Sequence, residues 1–517
     1  MPNICSKDTS IDGRTPLLAE NTGNKETRSD DREPFFWLLW NGLPIIGALL
    51  LKQSLNFATV VTIGHLGSTE LAAVTLGNMV AGISGLVTVY GFLNALETVC
   101  SQAWTGSRKQ DLGLYLQKAC IMLCILLVPI TLIWWNSERL LLALGQSKML
   151  AELAGRYLKC FLPGFIGYCF FEAVRRFLQA QGVMSASTYV MLIVAPFNFG
   201  LHYVLVFCDP FKLGFVGAPI ALSISYWLAT LLLLAYAYFV KGHEGWAGWS
   251  YSCLRDPWPL WRLAIPCIFA FFLEFCIVEL SVLAAAWLSS YQLASQSILL
   301  RTYIVSRAVA VGLSSTAATR VGNVLGKGQT TEAEQTLYRG SLLALCIGVL
   351  QGIVFLCTRH DFGRLFTKDP AIIHEVAQVL PIFAFFQMVD AVGGVCSGVL
   401  RGMGRQRVTA IAVAFAYYVV GCPLSFVLTF SAELEIVGLW SGLAAAFCMA
   451  ATLQFIYLLR LDWQSLRPSI TQQQSKVSKK PDYKYVLNLD DDTLSAVSSG
   501  STVISVPPYD RCAQEEV

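Results

Sequence analysis

The sequence predicts an all-α integral membrane protein in which twelve transmembrane helices form two six-helix lobes related by an internal parallel repeat. Three observations predict this fold class. The composition is too apolar for a surface that faces water, twelve apolar runs are long enough to cross a bilayer, and short strings recur at a nearly constant offset between the two halves.

The composition excludes several classes of protein. Of the 517 residues, 55% are hydrophobic and only 14% are charged, whereas a soluble domain carries about 25% charged residues. The net charge of +3 comes without a basic run, so we expect a bilayer and no nucleic acid as partners. The 16 cysteines are scattered without a Cys-x-x-Cys pair, and there are five histidines. We therefore expect no metal site, no disulfide framework and no cofactor.

The apolar runs divide the chain into spans, lobes and tails, because a spanning helix needs about 20 apolar residues. The N-terminal lobe is expected over 36–240 and the C-terminal lobe over 263–460, with a polar, tryptophan-rich cytoplasmic linker over 241–262. Residues 1–35 and 461–517 are polar and are expected to be disordered cytoplasmic tails. The predicted spans are 36–62, 71–97, 114–135, 156–179, 186–207, 216–239, 263–288, 293–318, 338–357, 374–399, 407–430 and 436–459.

The repeat is visible in prolines that recur inside the spans. Pro44 corresponds to Pro266 at an offset of 222 residues, and Pro163 corresponds to Pro381 at an offset of 218. Six spans separate matching positions, so both halves have the same orientation and the repeat is parallel. Two such lobes around a shared central cavity are typical of transporters.

The distribution of lysine and arginine predicts which side the ends of the chain face. One set of short loops carries thirteen of these residues and the alternate set carries six. By the positive-inside rule, the richer set is cytoplasmic, and an even number of spans places both termini there. The thirteen include Arg175, Arg176, Arg320 and Arg401. The sequence is compatible with a vacuolar and with a plasma membrane location. We expect the protein to be a monomer.

Ionisable residues inside spans are the candidates for function, because each costs about 2.5–3.5 kcal/mol on insertion scales. Helix 7 carries Glu274 and Glu279, and helix 10 carries Asp390. Apolar neighbours surround Glu274 and disfavour its charged form, so that it could exchange a proton near neutral pH. A five-residue spacing places Glu279 about 140° away from Glu274, where it can still border the same cavity at another height.

A second group of ionisable residues consists of Glu172 on helix 4, Lys52 on helix 1 and Arg301 on helix 8. By the repeat, Lys52 corresponds to Glu274 and Glu172 corresponds to Asp390. Only the second lobe has acids on its first helix, which favours that lobe as the ion site. We therefore expect Glu274, Glu279 and Asp390 to couple protons and bind substrate, with Glu172, Lys52 and Arg301 as secondary candidates.

Structural roles compete with these functional roles. Glu274 could form an ion pair with Arg301 or with Lys52, and Glu279 could pair with Arg301. Glu172 could pair locally with the two arginines that follow it. Arg307, also on helix 8, is expected with Arg301 to compensate acids or to line the cytoplasmic vestibule.

Four strings resemble the multidrug and toxic compound extrusion (MATE) family, and the resemblance covers about residues 36–460. They are Val61-Thr62-Ile63-Gly64-His65-Leu66-Gly67, Ala95-Leu96-Glu97-Thr98-Val99-Cys100-Ser101-Gln102-Ala103, Arg320-Val321-Gly322-Asn323-Val324-Leu325-Gly326 and Gly398-Val399-Leu400-Arg401-Gly402-Met403-Gly404. The chain resembles the eukaryotic branch, and its Arg175–Gly182 segment resembles fungal members.

The resemblance implies a secondary antiporter that exports organic cations and other amphipathic compounds in exchange for protons or, in some branches, sodium. Glu274 falls on the family's helix 7 glutamate, Glu279 on a second acid found in some animal members, and Asp390 on the helix 10 acid. At a helix 8 position where some animal members have another acid, this chain has Arg301. That departure weakens the expectation of a strong preference for cations. Lys52 in place of an acid on helix 1 favours the proton over sodium.

A flippase, a channel and an enzyme each require sequence features that differ from those of an antiporter. A lipid-linked oligosaccharide flippase of the same superfamily would need a cavity lined with cations and an additional pair of helices. A channel would need a continuous polar lining and has no use for a lobe repeat with buried carboxylates. The sequence contains no nucleophile beside a base, no metal-ligand spacing and no nucleotide-binding loop. We therefore do not expect an enzyme.

Overall fold

The computed structural model describes residues 33–106, 109 and 111–466. In this part of the chain, twelve helices are long and apolar enough to cross a membrane, which confirms the predicted number, and no β-strand occurs. A short helix, Ser137–Ala143, lies between the third and fourth spans. The spans are α1 (Glu33–Gly64), α2 (Ser68–Thr105), α3 (Asp111–Trp135), α4 (Lys148–Ala180), α5 (Ala186–Phe207), α6 (Gly214–Phe239), α7 (Trp258–Leu288), α8 (Ser290–Gly326), α9 (Thr330–Leu365), α10 (Pro370–Gly402), α11 (Gln406–Ser431) and α12 (Glu435–Leu459).

Most helices extend beyond the apolar runs that predict them. The clearest case is α8, which was expected over 293–318 and continues to Gly326. An apolar run measures the part of a helix that faces lipid, but the backbone hydrogen bonds continue wherever side chains pack against other helices. Some polar residues in these extensions, such as Arg320, are therefore buried in helices and not in loops.

Four arginines that the sequence assigned to cytoplasmic loops lie in helices: Arg320 and Arg401 in such extensions, and Arg175 and Arg176 inside the predicted span 156–179. Arg175 and Arg176 are buried in α4, Arg320 is buried in α8, and Arg401 is buried in the last turn of α10. Their assignment to loops is wrong. The helices α8 and α10 continue past the apolar runs that predict them, and Arg175 and Arg176 precede the end of α4 at Ala180. Without them, nine basic residues remain on one side against six on the other, so the direction of the bias is unchanged.

The predicted linker packs against the N-terminal lobe. Its described residues form two short turns, His243–Gly245 and Tyr251–Leu254, before α7 begins at Trp258. The side chain of Gln117 on α3 donates to the carbonyl of Gly248 at 2.7 Å and accepts from the backbone N–H of Ser250 at 3.0 Å. The predicted tails fall almost entirely outside the described residues.

Each lobe has its own apolar core. Phe165 and Phe171 of α4 are fully buried in the N-terminal lobe, and Phe383 and Phe386 of α10 are fully buried in the C-terminal lobe. Helices α4 and α10 are equivalent in the repeat, so the same element forms the centre of both cores.

The lobes contact each other at the end of the bundle where the described chain begins and ends, which we call the terminal end. There α2 of the first lobe meets the last turns of α8 and α10. Gln102 Nε2 donates to the carbonyl of Gly402 at 2.8 Å, and Thr105 Oγ1 donates to the carbonyl of Asn323 at 2.6 Å. These carbonyls are helix-terminal groups without an intrahelical partner. A Cβ added to Gly326 would overlap Thr105, so a glycine permits the close approach. We call these contacts the interlobe seal.

Candidate functional site

The most distinctive polar feature of the C-terminal lobe is an arginine shared by two acids. Arg307 of α8 forms an ion pair with Glu274 of α7 through Nη2 and donates from Nη1 to Asp390 Oδ1 of α10 at 3.2 Å. It also donates to the hydroxyl of Tyr303, one helical turn earlier on α8. Three helices therefore converge on one guanidinium group. We call Glu274, Arg307 and Asp390 the ionic triad.

The triad carries one more negative charge than positive charge. Asp390 is 8% exposed, and its Oδ2 has no hydrogen-bond partner among the described residues. The side chains of Glu274 and Arg307 are 18% and 23% exposed, so small molecules can reach them. An unpaired carboxylate oxygen beside an incompletely neutralised charge is a site for a proton or a hydrogen-bond donor.

The triad lines a partly open cavity of about 100 Å³. Helices α7, α8, α10, α11 and α12 of the C-terminal lobe form most of its wall, and Tyr90 of α2 comes from the other lobe. Apolar and aromatic side chains, among them Phe271, Tyr417 and Phe447, form much of the rest. A mostly apolar concave site with a few converging polar groups is typical of small-molecule binding.

Glycines bring the helices behind the triad close together. A Cβ added to Gly394 of α10 would lie 2.9 Å from the carbonyl oxygen of Ala310 on α8. Any larger residue would separate the two helices and move Asp390 away from Arg307.

The structure does not bring every predicted site residue into this cavity. Glu279 is half-buried on α7 and is not part of the cavity wall. Arg301 is exposed on α8, and within the described part of the chain neither residue forms an ion pair. The pairing of Arg301 with Glu274 or with Glu279 is therefore wrong, because Arg307, six residues later on α8, faces the cavity instead. A functional role for Glu279 and Arg301 stays a prediction.

Lys52 and Glu172 form a separate ionic cluster in the N-terminal lobe. Lys52 Nζ lies 2.9 Å from Glu172 Oε1. Glu172 Oε2 also accepts from Arg175 at 2.7 Å and from Arg176 at 2.5 Å. The local pairing expected for Glu172 is therefore present. The pairing of Lys52 with Glu274 is not, because Lys52 turns to the acid of its own lobe. We call these four residues the cationic cluster.

Sequence reasoning missed two buried charges between the lobes. Glu97 of α2 is 3% exposed, and its Oε1 accepts from the hydroxyl of Ser315 on α8 at 2.5 Å. Arg401 of α10 lines the cavity and donates to Ser314 Oγ at 3.0 Å. Both residues lie at or just beyond the ends of predicted spans. A search of the turn after each span for charges would have found them.

Comparisons with known proteins identify relatives across the whole membrane region. The MatE family model matches residues 44–204 and 266–427, one match for each lobe. An uncharacterized transporter of Schizosaccharomyces pombe is 35% identical over 423 residues, which cover 82% of this chain and 78% of the relative. Protein DETOXIFICATION 17 of Arabidopsis thaliana is 33% identical, with 87% of this chain and 95% of the relative covered. Multidrug and toxin extrusion protein 2 of Mus musculus is 33% identical, with 81% and 73% covered.

Solved structures show the same fold. The crystal structure of the eukaryotic MATE transporter AtDTX14 is 26% identical, with a TM-score of 0.80 over 86% of this chain and 99% of that chain. The Vibrio cholerae MATE transporter VcmN in the bent form is 17% identical, with a TM-score of 0.73 over 86% of this chain and 99% of that one. At that identity, the second likeness bears on the fold alone.

Proposed function

The chain belongs to the MATE family of membrane transporters, and from this premise we propose that it exports organic cations and other amphipathic compounds in exchange for protons. Membership makes it a multi-pass transporter of small molecules and not an enzyme. The names of its plant and mouse relatives refer to detoxification and to extrusion of drugs and toxins, which supports export as the direction. We further propose that it is a monomer in a vacuolar or plasma membrane.

The observation that carries the proposal is the ionic triad with one unpartnered carboxylate oxygen. Glu274 and Asp390 together carry two negative charges against the single positive charge of Arg307. One proton or one cationic group is enough to neutralise the excess. Both ligands therefore compete for the same charge, and such competition is a simple physical basis for exchange.

Asp390 is the residue that we propose to bind the proton. Its Oδ1 accepts from Arg307 at 3.2 Å, but its Oδ2 has no hydrogen-bond partner among the described residues. Protonation turns this oxygen into a donor and removes the excess charge of the triad. The lobes can then favour a different arrangement, because a difference of about 1–3 kcal/mol between two states is enough to shift their populations.

Alternating access requires that the interlobe seal opens and closes. In this structure, the lobes are joined at the terminal end through Gln102 and Thr105 of α2. If both termini are cytoplasmic, as the basic residues indicate, the seal closes the cytoplasmic side. Substrate then enters from the cytoplasm only after these hydrogen bonds exchange with water.

The proposal is tested by transport of a fluorescent organic cation in proteoliposomes with an imposed proton gradient. We expect rapid exchange by the wild type, its loss with a protonophore, and at least a tenfold lower rate for Glu274→Gln and for Asp390→Asn. Each variant leaves Arg307 one carboxylate partner, so we expect both to fold. Glu152→Gln is the matched control, because Glu152 pairs only with exposed Arg156 on α4.

Two results would overturn parts of the proposal. Transport that follows a sodium gradient and ignores the proton gradient would replace the coupling ion and keep the transporter. Full exchange by both variants in the ionic triad would show that the coupling site lies elsewhere.

A further inference from the structure

The cationic cluster of the N-terminal lobe contains more positive charge than its only acid can balance. Lys52, Arg175 and Arg176 carry three positive charges, and Glu172 carries one negative charge. The side chain of Glu172 is fully buried, and those of Arg175 and Arg176 are 4% and 1% exposed. A buried charge without a counter-charge is costly, so an excess of this size calls for an additional anion.

Neighbouring residues do not remove the excess. The acid on the facing helix α2 is Glu97, and its Oε1 accepts from Ser315 of the other lobe. Even if Glu97 is counted in full, one positive charge remains. Other titratable side chains near the cluster are the tyrosines Tyr90, Tyr168 and Tyr226 and the thiols of Cys169 and Cys267. Hydroxyl and thiol groups of this kind carry no charge at neutral pH.

The cluster also contains more hydrogen-bond donors than acceptors. Asn94 Oδ1 already accepts from Arg176 Nη2 at 3.1 Å. Within the described residues, Asn94 Nδ2 and Arg176 Nε are buried donors without a partner. An anion would supply the acceptors that the protein lacks, as carboxylate, sulfate and phosphate groups do at arginine-rich sites.

Lys52 is the member of the cluster that a ligand can reach. Its side chain is 16% exposed, and its Nζ lies 5.4 Å from the ring centre of Tyr168 and 5.9 Å from that of Tyr90. Tyr90 also forms part of the cavity wall that contains the ionic triad. The same aromatic ring therefore borders the cationic cluster and the cavity.

We propose that Lys52 and the cationic cluster form an anion-binding subsite, so that the transporter takes compounds with an acidic group, as zwitterions or organic anions. The proposal rests on the function proposed above and names a substrate class for the same cavity. The acidic group of the compound binds at Lys52, and its cationic or aromatic part extends past Tyr90 towards the ionic triad. Compounds whose only charged groups are cations gain no binding free energy at this subsite.

Two dyes that differ only in one acidic group measure what that group contributes to binding. A rhodamine with a free carboxylate and the methyl ester of the same dye share one cationic ring system and differ in one negative charge. Fluorescence polarisation gives their affinities for the purified full-length protein in nanodiscs of zwitterionic lipid, without a proton gradient. We expect the carboxylate dye to bind about tenfold more tightly than its ester, because it gains a charge-assisted hydrogen bond.

Variants of Lys52 decide whether the preference comes from this residue. Lys52→Gln should remove the preference for the carboxylate dye, and Lys52→Arg should keep it because the charge remains. Both should fold, since Glu172 keeps its ion pairs with Arg175 and Arg176. Lys159→Gln is the matched control: Lys159 also lies in a membrane helix with an aromatic ring near its ammonium group, but outside the cluster. It should keep the full preference.

The outcomes separate this subsite from the proposed function. A wild type without a preference for the carboxylate dye, or a Lys52→Gln variant that keeps it, overturns the anion subsite. If the dye preference is present but proton-driven exchange is absent in proteoliposomes, the subsite stands and the coupling proposal fails.

Discussion

At the residue scale, the two lobes use the same pair of repeat positions in opposite ways. In the first lobe, Lys52 and Glu172 form a direct ion pair at 2.9 Å. In the second lobe, the equivalent residues are Glu274 and Asp390, two acids that repel each other. Arg307 from a third helix lies between them and makes the arrangement possible. The first site thus has an excess of positive charge and the second an excess of negative charge.

The stability of the second site should depend on Arg307. In Arg307→Gln, two buried acids face each other without a cation, and we expect a loss of about 3 kcal/mol in the free energy of unfolding. Adding Glu274→Gln should restore most of it, because one of the two like charges is then removed. Thermal unfolding midpoints in detergent measure both changes. Arg301→Gln is the control, since Arg301 is exposed on the same helix and has no ion pair.

A double variant less stable than Arg307→Gln alone would contradict this account. It would mean that Glu274 is stabilised by groups other than the guanidinium of Arg307.

At the element scale, α2 is one of the helices of the first lobe that contact the second lobe. It contributes Tyr90 to the cavity wall, and its last two turns supply the donors of the interlobe seal. The hydroxyl of Thr98, one turn earlier, donates to the carbonyl of Arg401 at 2.8 Å. Any movement that opens the terminal end must therefore break several hydrogen bonds along one helix. Each hydrogen bond contributes about 0.5–1.5 kcal/mol. The interlobe seal can therefore stabilise the state that is closed at the terminal end and still open reversibly.

A disulfide across the seal should lock the transporter. The Cβ of Thr105 lies 3.3 Å from the position of a Cβ on Gly326, close to the separation in a disulfide. We expect Thr105→Cys with Gly326→Cys to lose transport on oxidation and to recover it on reduction. Proteoliposome exchange before and after reduction measures this, and Thr105→Cys alone, which cannot form the bridge, is the control.

The prediction fails if the protein is fully cross-linked and still transports at the rate of the reduced form. Opening at the terminal end would then not be part of the cycle.

At the scale of the whole molecule, a parallel repeat gives both lobes one orientation but does not make them chemically equal. The family model matches once in each lobe, which agrees with the repeat seen in the prolines. The cavity nevertheless lies mostly in the C-terminal lobe, and the excess of positive charge lies in the N-terminal lobe. A substrate between them meets opposite charges on opposite sides. With the anion subsite that we propose, this asymmetry would favour elongated compounds with charges at both ends.

The basic residues predict that both termini face the cytoplasm. A protease cleavage site and epitope added at the C-terminus should be protected in sealed right-side-out vesicles. The same cassette in the loop between α9 and α10, next to Lys368, should be cut, because that loop lies at the opposite end of the bundle. Immunoblots before and after detergent measure the difference. Cleavage of the C-terminal site without detergent would reverse the orientation, and with it the side that the interlobe seal closes.

The sequence by itself determined the fold class, the twelve spans and the family. Apolar runs report lipid contact directly, and the bilayer allows few alternatives to a helix for such a run. The repeat followed from prolines that both halves keep inside their helices, as Pro163 and Pro381 show. The candidates Glu274 and Asp390 could also be named, because a charge in an apolar run has few structural uses.

Only the tertiary structure decided which charges meet. Arg301 and Arg307 have the same chemistry and lie on the same helix, yet only Arg307 faces the cavity. Six residues on a helix change the direction of a side chain by about 240°, and which direction is inward depends on how the other helices pack. For the same reason, Arg320 and Arg401 lie beyond the apolar runs 293–318 and 374–399, yet the helices continue and bury both side chains. Pairing between distant residues is a property of packing, which a linear pattern does not contain.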